Sequence, residues 1–204
     1  MSDPVEVLDF WLGEIGPEGW YKGSEEIDDA CAVRFGALTD ALADDGLEHW
    51  VDGVVGTLAY LIVADQFSRN IHRGTAAAFV NDPRARNAAR AALDAGWDMQ
   101  APVPERQFFY MPLEHSEDMA DQDLAVSLMA TRMDGDAELL LHARAHREII
   151  LRFGRFPFRN AALGRETTPE EQAFMDEGAY VSVVNALRNS HASDAWAIGV
   201  SFVA

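Results

Sequence analysis

Three short stretches restrict the fold more than anything else in the chain. Asp3-Pro4, Asp82-Pro83 and Thr168-Pro169 each set a proline directly behind a residue that caps helices. Proline suits the first helical position, where its missing N–H would have had no partner, and is excluded from helix interiors. In Thr168-Pro169-Glu170-Glu171 the glutamate three residues past the threonine completes a capping box. Beyond such starts, apolar residues recur at three-four spacing, and no segment before residue 178 alternates every second residue. The spacing predicts helices over 3–13, 24–44, 52–68, 83–95, 104–111, 116–133, 136–153 and 169–178, with helical turns near 47–50 and 157–163. Connections are short and rich in Gly, Asp or Pro, as between antiparallel helix neighbours. The fold class is all-α, with residues 1–178 as one helical domain and 179–204 as an apolar, weakly patterned tail that the pattern does not place.

Composition narrows the function classes. A chain of 204 residues with 49% hydrophobic and 25% charged side chains can bury a sizeable core. The lone cysteine, Cys31, allows no intrachain disulfide and fits a reducing compartment. The start MSDPVEVLDF lacks the basic-then-apolar order of a secretory signal. The longest nearly apolar run, Val54 to Ala64, is about half the ~20 residues a membrane helix needs. A cytoplasmic protein without membrane partners is therefore expected. A formal charge of −18 repels nucleic acid at long range. The tail is open to two readings, a contact between copies of the chain or a loose end.

The charges are segregated. Residues 69–90 and 144–165 hold 11 of the 16 cations but only two of the 34 acids, whereas Glu114 to Asp123 holds five carboxylates and no cation. Several of these groups fall on apolar helix stripes: Asp65 and Arg69 with Leu58, Leu61 and Ile62; His115 and Asp118 with Met119 and Gln122; His142 and His146 with Leu139, Ile149 and Ile150. A carboxylate on such a face loses several kcal/mol of hydration unless a cation and hydrogen bonds replace the water. Arginine does so with a planar fork that also stacks on phenylalanine. The stretch RFGRFPFRN, residues 152–160, is thus expected to face EHSED, residues 114–118, and Asp65 across a half-buried seam.

Three functions would use such a seam. A binding module would hold a small anionic molecule or a peptide carboxylate with Asp65, Arg69, Asn70, Arg73, Glu114, His115, Glu117, Asp118, Arg152, Arg155, Arg159 and Asn160. An enzyme, a hydrolase or lyase on an anionic substrate, would use His115, His146 or Asp65 for proton transfer. A scaffold would use the seam only to fix helix register. Metal chemistry has weaker support: His142 and His146 with His115 and Asp118 supply ligand types, but no H-E-x-x-H or cysteine cluster accompanies them, and nearby arginines oppose a cation. No Walker or dinucleotide glycine loop and no G-x-S-x-G turn occurs, so neither metal nor cofactor is expected. One short motif, R-N-x-x-x-G, appears twice, at Arg69-Asn70 with Gly74 and at Arg159-Asn160 with Gly164.

The stretches VLDFWLG (7–13), DQFSRNIHRGT (65–75), FVNDP (79–83), YMPLEHSED (110–118), HREIILRFGRFPFRNAALGRE (146–166) and TPEE (168–171) resemble the signature stretches of the bacterial domain of unknown function 924 family. The resemblance covers roughly residues 5–178. It implies a tetratricopeptide-like right-handed α-α superhelix of stacked antiparallel helix pairs with a concave groove, and it implies no activity. Two positions depart from the pattern: Ser68 stands where the family has proline, and Phe158 where it has histidine. The second departure weakens any mechanism that needs an imidazole beside Arg159.

Overall fold

The computed structural model describes residues 3–197, which are helical and contain no strand. Helix α1 (Pro4–Leu8) begins at a full capping box: Asp3 accepts from the Val5 and Glu6 N–H groups, and Glu6 accepts from the Asp3 N–H. It widens into a π turn, Asp9–Ile15, and then the short α2 (Gly16–Gly19). Helix α3 (Glu25–Ala43) follows, then α4 (Val54–Leu61), a second π turn (Ile62–Phe67) and α5 (Ser68–Ile71). The helix expected over 52–68 is therefore three segments. At Ser68 the backbone N–H bonds to Val63, five residues back, a bond that proline could not donate.

Phe67 leaves the π turn into the centre of the main core. Its ring stacks on Phe35 at 5.0 Å and meets Trp11 edge-on at 5.5 Å. All three are buried, and each aromatic burial contributes about 1.5–3 kcal/mol. This core fixes the π turn and thereby the position of Asp65.

Helix α6 (Asp82–Asp94) starts one residue before its proline. Asp82 was expected to cap this helix; instead Asn81 stands at the cap position and no side chain caps it. The helix expected over 104–111 is a 3-10 segment, Glu105–Phe109, followed by α7 (Met111–Glu114). Pro112 lacks the N–H that one continuous helix would require there. Helix α8 (Met119–Arg132) begins after Asp118, which accepts from the Ala120 and Asp121 N–H groups. His115 and Asp118 therefore do not ride on its face: His115 ends α7 and Asp118 caps α8.

Helix α9 (Ala137–Phe153) is capped by Asp136 and closes at Gly154, whose φ of 68° is the left-handed conformation glycine adopts freely. A 3-10 turn, Pro157–Arg159, leads to α10 (Pro169–Asp176), whose Thr168–Glu171 capping box is formed as the sequence indicates. The segment that the pattern left unplaced forms α11 (Ala179–Ala197), packed on α9 through Val184, Leu141 and Ala145. The remainder of that tail, 198–204, lies outside the described residues. Among the described residues no helix is long and apolar enough to cross a membrane.

Candidate functional site

A cavity of about 1030 Å³ opens between the α2 turn, α7, α9 and the start of α11. Most of its wall is apolar, including Trp20, Met111, Met129, Leu139, Phe158 and Val181, while Glu114, His115, His142, His146 and Tyr180 supply the chemistry. A large, mainly apolar hollow with a few converging polar groups is the usual form of a small-molecule site.

His115 is held from behind. Its Nδ1 lies 2.8 and 2.9 Å from the two oxygens of Asp65, whose side chain is only 2% exposed. Arg69 reaches the same carboxylate at 2.9 Å and also donates to the Asp65 carbonyl at 2.8 Å; the Gln66 amide adds a 2.5 Å bond. Burial pushes the Asp65 carboxyl up, but the charge of Arg69 and the bonds from His115 and Gln66 more than reverse this, so Asp65 stays ionised. With Nδ1–H donating to Asp65, the lone pair sits on Nε2. Burial lowers the His115 pKa despite the carboxylate, so the ring is neutral at neutral pH.

Glu114, the adjacent residue, is treated in the opposite way. It is 4% exposed, its Oε1 has no hydrogen-bond partner among the described residues, and His146 Nδ1 lies 3.6 Å from its Oε2. Burial, aided by the charge on Asp65, pushes its pKa up to about 8. His146 is pulled down to about 3, chiefly by burial, and its Nδ1 donates to the His142 carbonyl at 2.9 Å. A neutral carboxylic acid and a neutral imidazole thus face each other. The ring of His146 packs on His115, Phe156 and Tyr180 at 4.8–5.7 Å, and His142 Nδ1 lies 2.6 Å from the Tyr180 hydroxyl.

The expected arginine seam is divided. Arg69 and Arg159 converge on Asp82, at 3.0 and 3.5 Å, and both lie over the Phe79 ring. These are the arginines of the repeated motif, and each is followed by a left-handed glycine, Gly74 or Gly164. Glu117 accepts from the Phe156 N–H and from Arg165. The remaining residues go elsewhere: Arg73 pairs with Asp28 of α3, Arg152 with Glu170, and Arg155 with Glu171. Asn70 contacts the Cys31 sulfur, and Asn160 donates to Glu171. Sequence reasoning missed Asp82, Gln66, Arg165 and Tyr180. Asp82 was hidden by resembling a cap, and Tyr180 because nothing signalled a helix there. Among the described residues no three His, Cys, Asp or Glu side chains converge as metal ligands.

A model of the family described as "Bacterial protein of unknown function (DUF924)" matches residues 7–179, from α1 to the first residue of α11. A solved structure, that of the protein of unknown function ATU0120 from Agrobacterium tumefaciens, is 39% identical, with a TM-score of 0.81. That similarity covers 86% of this chain and 97% of the other. No curated protein matches the chain. With the signature stretches, the family match and the shared fold in agreement, the chain belongs to the DUF924 family of bacterial proteins.

Proposed function

We propose that the chain is an acid–base enzyme, a hydrolase or lyase, acting on a small molecule with an apolar body and a carbonyl or comparable acceptor at its reacting end. The observation that carries this reading is the placement of two oppositely prepared groups on one cavity wall. His115, oriented by Asp65, offers a basic Nε2; Glu114 offers an O–H that nothing among the described residues accepts. The base removes a proton from water or from the substrate, and the acid donates one to the oxygen on which charge develops. Apolar walls exclude water and strengthen both steps.

Activity would require neutral His115 and protonated Glu114. It would therefore fall on the acid side as His115 protonates, below the ordinary histidine range, and on the alkaline side near pH 8 as Glu114 ionises. The test is turnover, followed by NMR, of a panel of small esters, lactones and β-hydroxy acids. His115→Ala and Asp65→Asn should each lower the rate of any turned-over compound about 100-fold or more. A compound that binds the cavity and reacts equally fast in both variants would overturn the reading.

The arginine-lined groove for an anion or a peptide carboxylate has narrower support than the sequence suggested, because Arg73, Arg152 and Arg155 are occupied by carboxylates. Those three pairs favour a structural role for that part of the seam. The convergence of Arg69 and Arg159 is what supports anion binding.

A further inference from the structure

His115 also lines a second, smaller cavity of about 260 Å³, together with Asp82, Arg86, Glu117, Arg159 and Arg165. Two of its arginines are answered within the chain. Arg165 forks onto Glu117 at 2.8 and 2.9 Å, and Arg86 reaches Asp121 at 3.3 Å. Arg159 differs. It is 7% exposed, its guanidinium lies 4.4 Å over Phe156 and 4.8 Å over Phe79, and its one ion pair among the described residues is the 3.5 Å approach to Asp82. Its guanidinium donates no hydrogen bond to any described residue, although it carries five N–H donors. A buried cation in that condition needs an acceptor.

The second observation is the helix beside it. Helix α6 has thirteen residues and starts at Asp82 with no side-chain cap, and its first turn lines the same cavity through Asp82, Pro83 and Arg86. Its positive end adds to the attraction for negative charge, although Pro83 has no N–H and the Ala85 N–H already bonds the Asn81 carbonyl. Two carboxylates oppose it. Glu117 is already neutralised by Arg165, and Asp82 is shared between two arginines.

We propose that this smaller cavity binds an oxyanion, phosphate or carboxylate, held by Arg159 with Arg86 and the uncapped start of α6. The anion is either free in solution or the acidic head of a molecule whose body occupies the larger cavity, since His115 borders both. Neither case depends on His115 acting as a base, so loss of turnover and loss of anion binding are separate results.

The test is titration of inorganic phosphate into the full chain at constant ionic strength, read by calorimetry and ³¹P NMR. Wild type and Arg188→Met, a control at an exposed arginine, should show one saturable site. Arg159→Met should weaken it about tenfold or more, and Arg86→Met by a smaller factor. If Arg159→Met does not fold, the Arg86→Met effect and a phosphate-dependent shift of the His115 ring signals in wild type carry the test. An alkyl phosphate that binds more tightly and perturbs Phe158 and Tyr180 identifies a headgroup; equal affinity identifies a free anion. Absence of saturable binding by folded wild type, or an unchanged dissociation constant in folded Arg159→Met, would overturn the proposal.

Discussion

Two glutamates with almost the same exposure have opposite states. Glu171, 3% exposed, accepts from Arg155 at 2.6 and 2.8 Å, from the Thr168 N–H at 2.8 Å and from Asn160 at 3.2 Å, and Arg155 foremost holds its pKa at about 2. Glu114, 4% exposed, has one oxygen unpartnered and titrates near 8. Low exposure alone therefore does not decide the charge of a carboxyl: Glu171 sits among donors near the surface, whereas Glu114 lies deep with almost none. The first glutamate ties α10 to the chain after α9. The second faces a hollow large enough for a ligand. An unmet hydrogen bond at the wall of a cavity is what a binding site needs and what a packed corner avoids.

The largest effect should come from removing the donors of Glu171. Arg155→Ala leaves the Glu171 carboxylate with only Thr168 and Asn160 as donors and should shift the urea midpoint clearly downward at pH 7. An unchanged midpoint would mean that the two glutamates differ less than their partners indicate. The next effect has the opposite sign. Between the unfolded value of 4.5 and the folded value of about 8, native Glu114 keeps a proton that the unfolded chain releases. This carboxyl therefore makes stability fall as pH rises through that window. Glu114→Gln should remove that fall, so the variant is more stable than the parent at pH 8 and nearly equal to it at pH 4. Glu171 runs the other way: its stabilisation is full above 4.5 and is lost as pH falls toward 2. Thus Glu171→Gln should be harmful at pH 7 and nearly neutral at pH 2, as thermal melts across that range would register.

The smallest effect concerns Phe158, which lines the large cavity and stacks on Phe156 at 5.3 Å. It is 38% exposed, so Phe158→His should change stability by less than about 1 kcal/mol. It would place an imidazole on the cavity wall at the position where the resemblance expects one. A melting curve that collapses would show that the ring belongs to the packed region and not to the cavity.

Much of this fold could be read from local chemistry. Asp3, Asp118, Asp136 and Thr168 all cap helices through side-chain oxygens, and capping is a rule of neighbours in sequence. The all-α class followed from those caps and the three-four spacing. What sequence did not reveal depends on distance through space. The π turn at Ile62–Phe67 has no sequence signal, yet it carries Asp65. Asp82 has the sequence of a cap but is taken up by two arginines whose positions are 90 residues apart. The seam reading set Asp65 and His115 together opposite the arginines without pairing them, and it gave no hint that Glu114 would be isolated, because a missing partner leaves no trace in a pattern of charges. The split of the arginines into hydrogen-bonded pairs and an Arg159 guanidinium whose ion pair among the described residues is the 3.5 Å approach to Asp82 is likewise a matter of three-dimensional supply.

The proposed chemistry depends on one proton, that of Glu114. Carbon-13 NMR of the glutamate side-chain carboxyls, with the Glu114 signal assigned by its disappearance in Glu114→Gln, follows it directly. A midpoint near pH 8 for that signal, with Glu171 still ionised at pH 4, is the result expected. Titration of Glu114 below pH 5, among the ordinary surface glutamates, would remove the acid from the cavity wall and contradict the proposed chemistry.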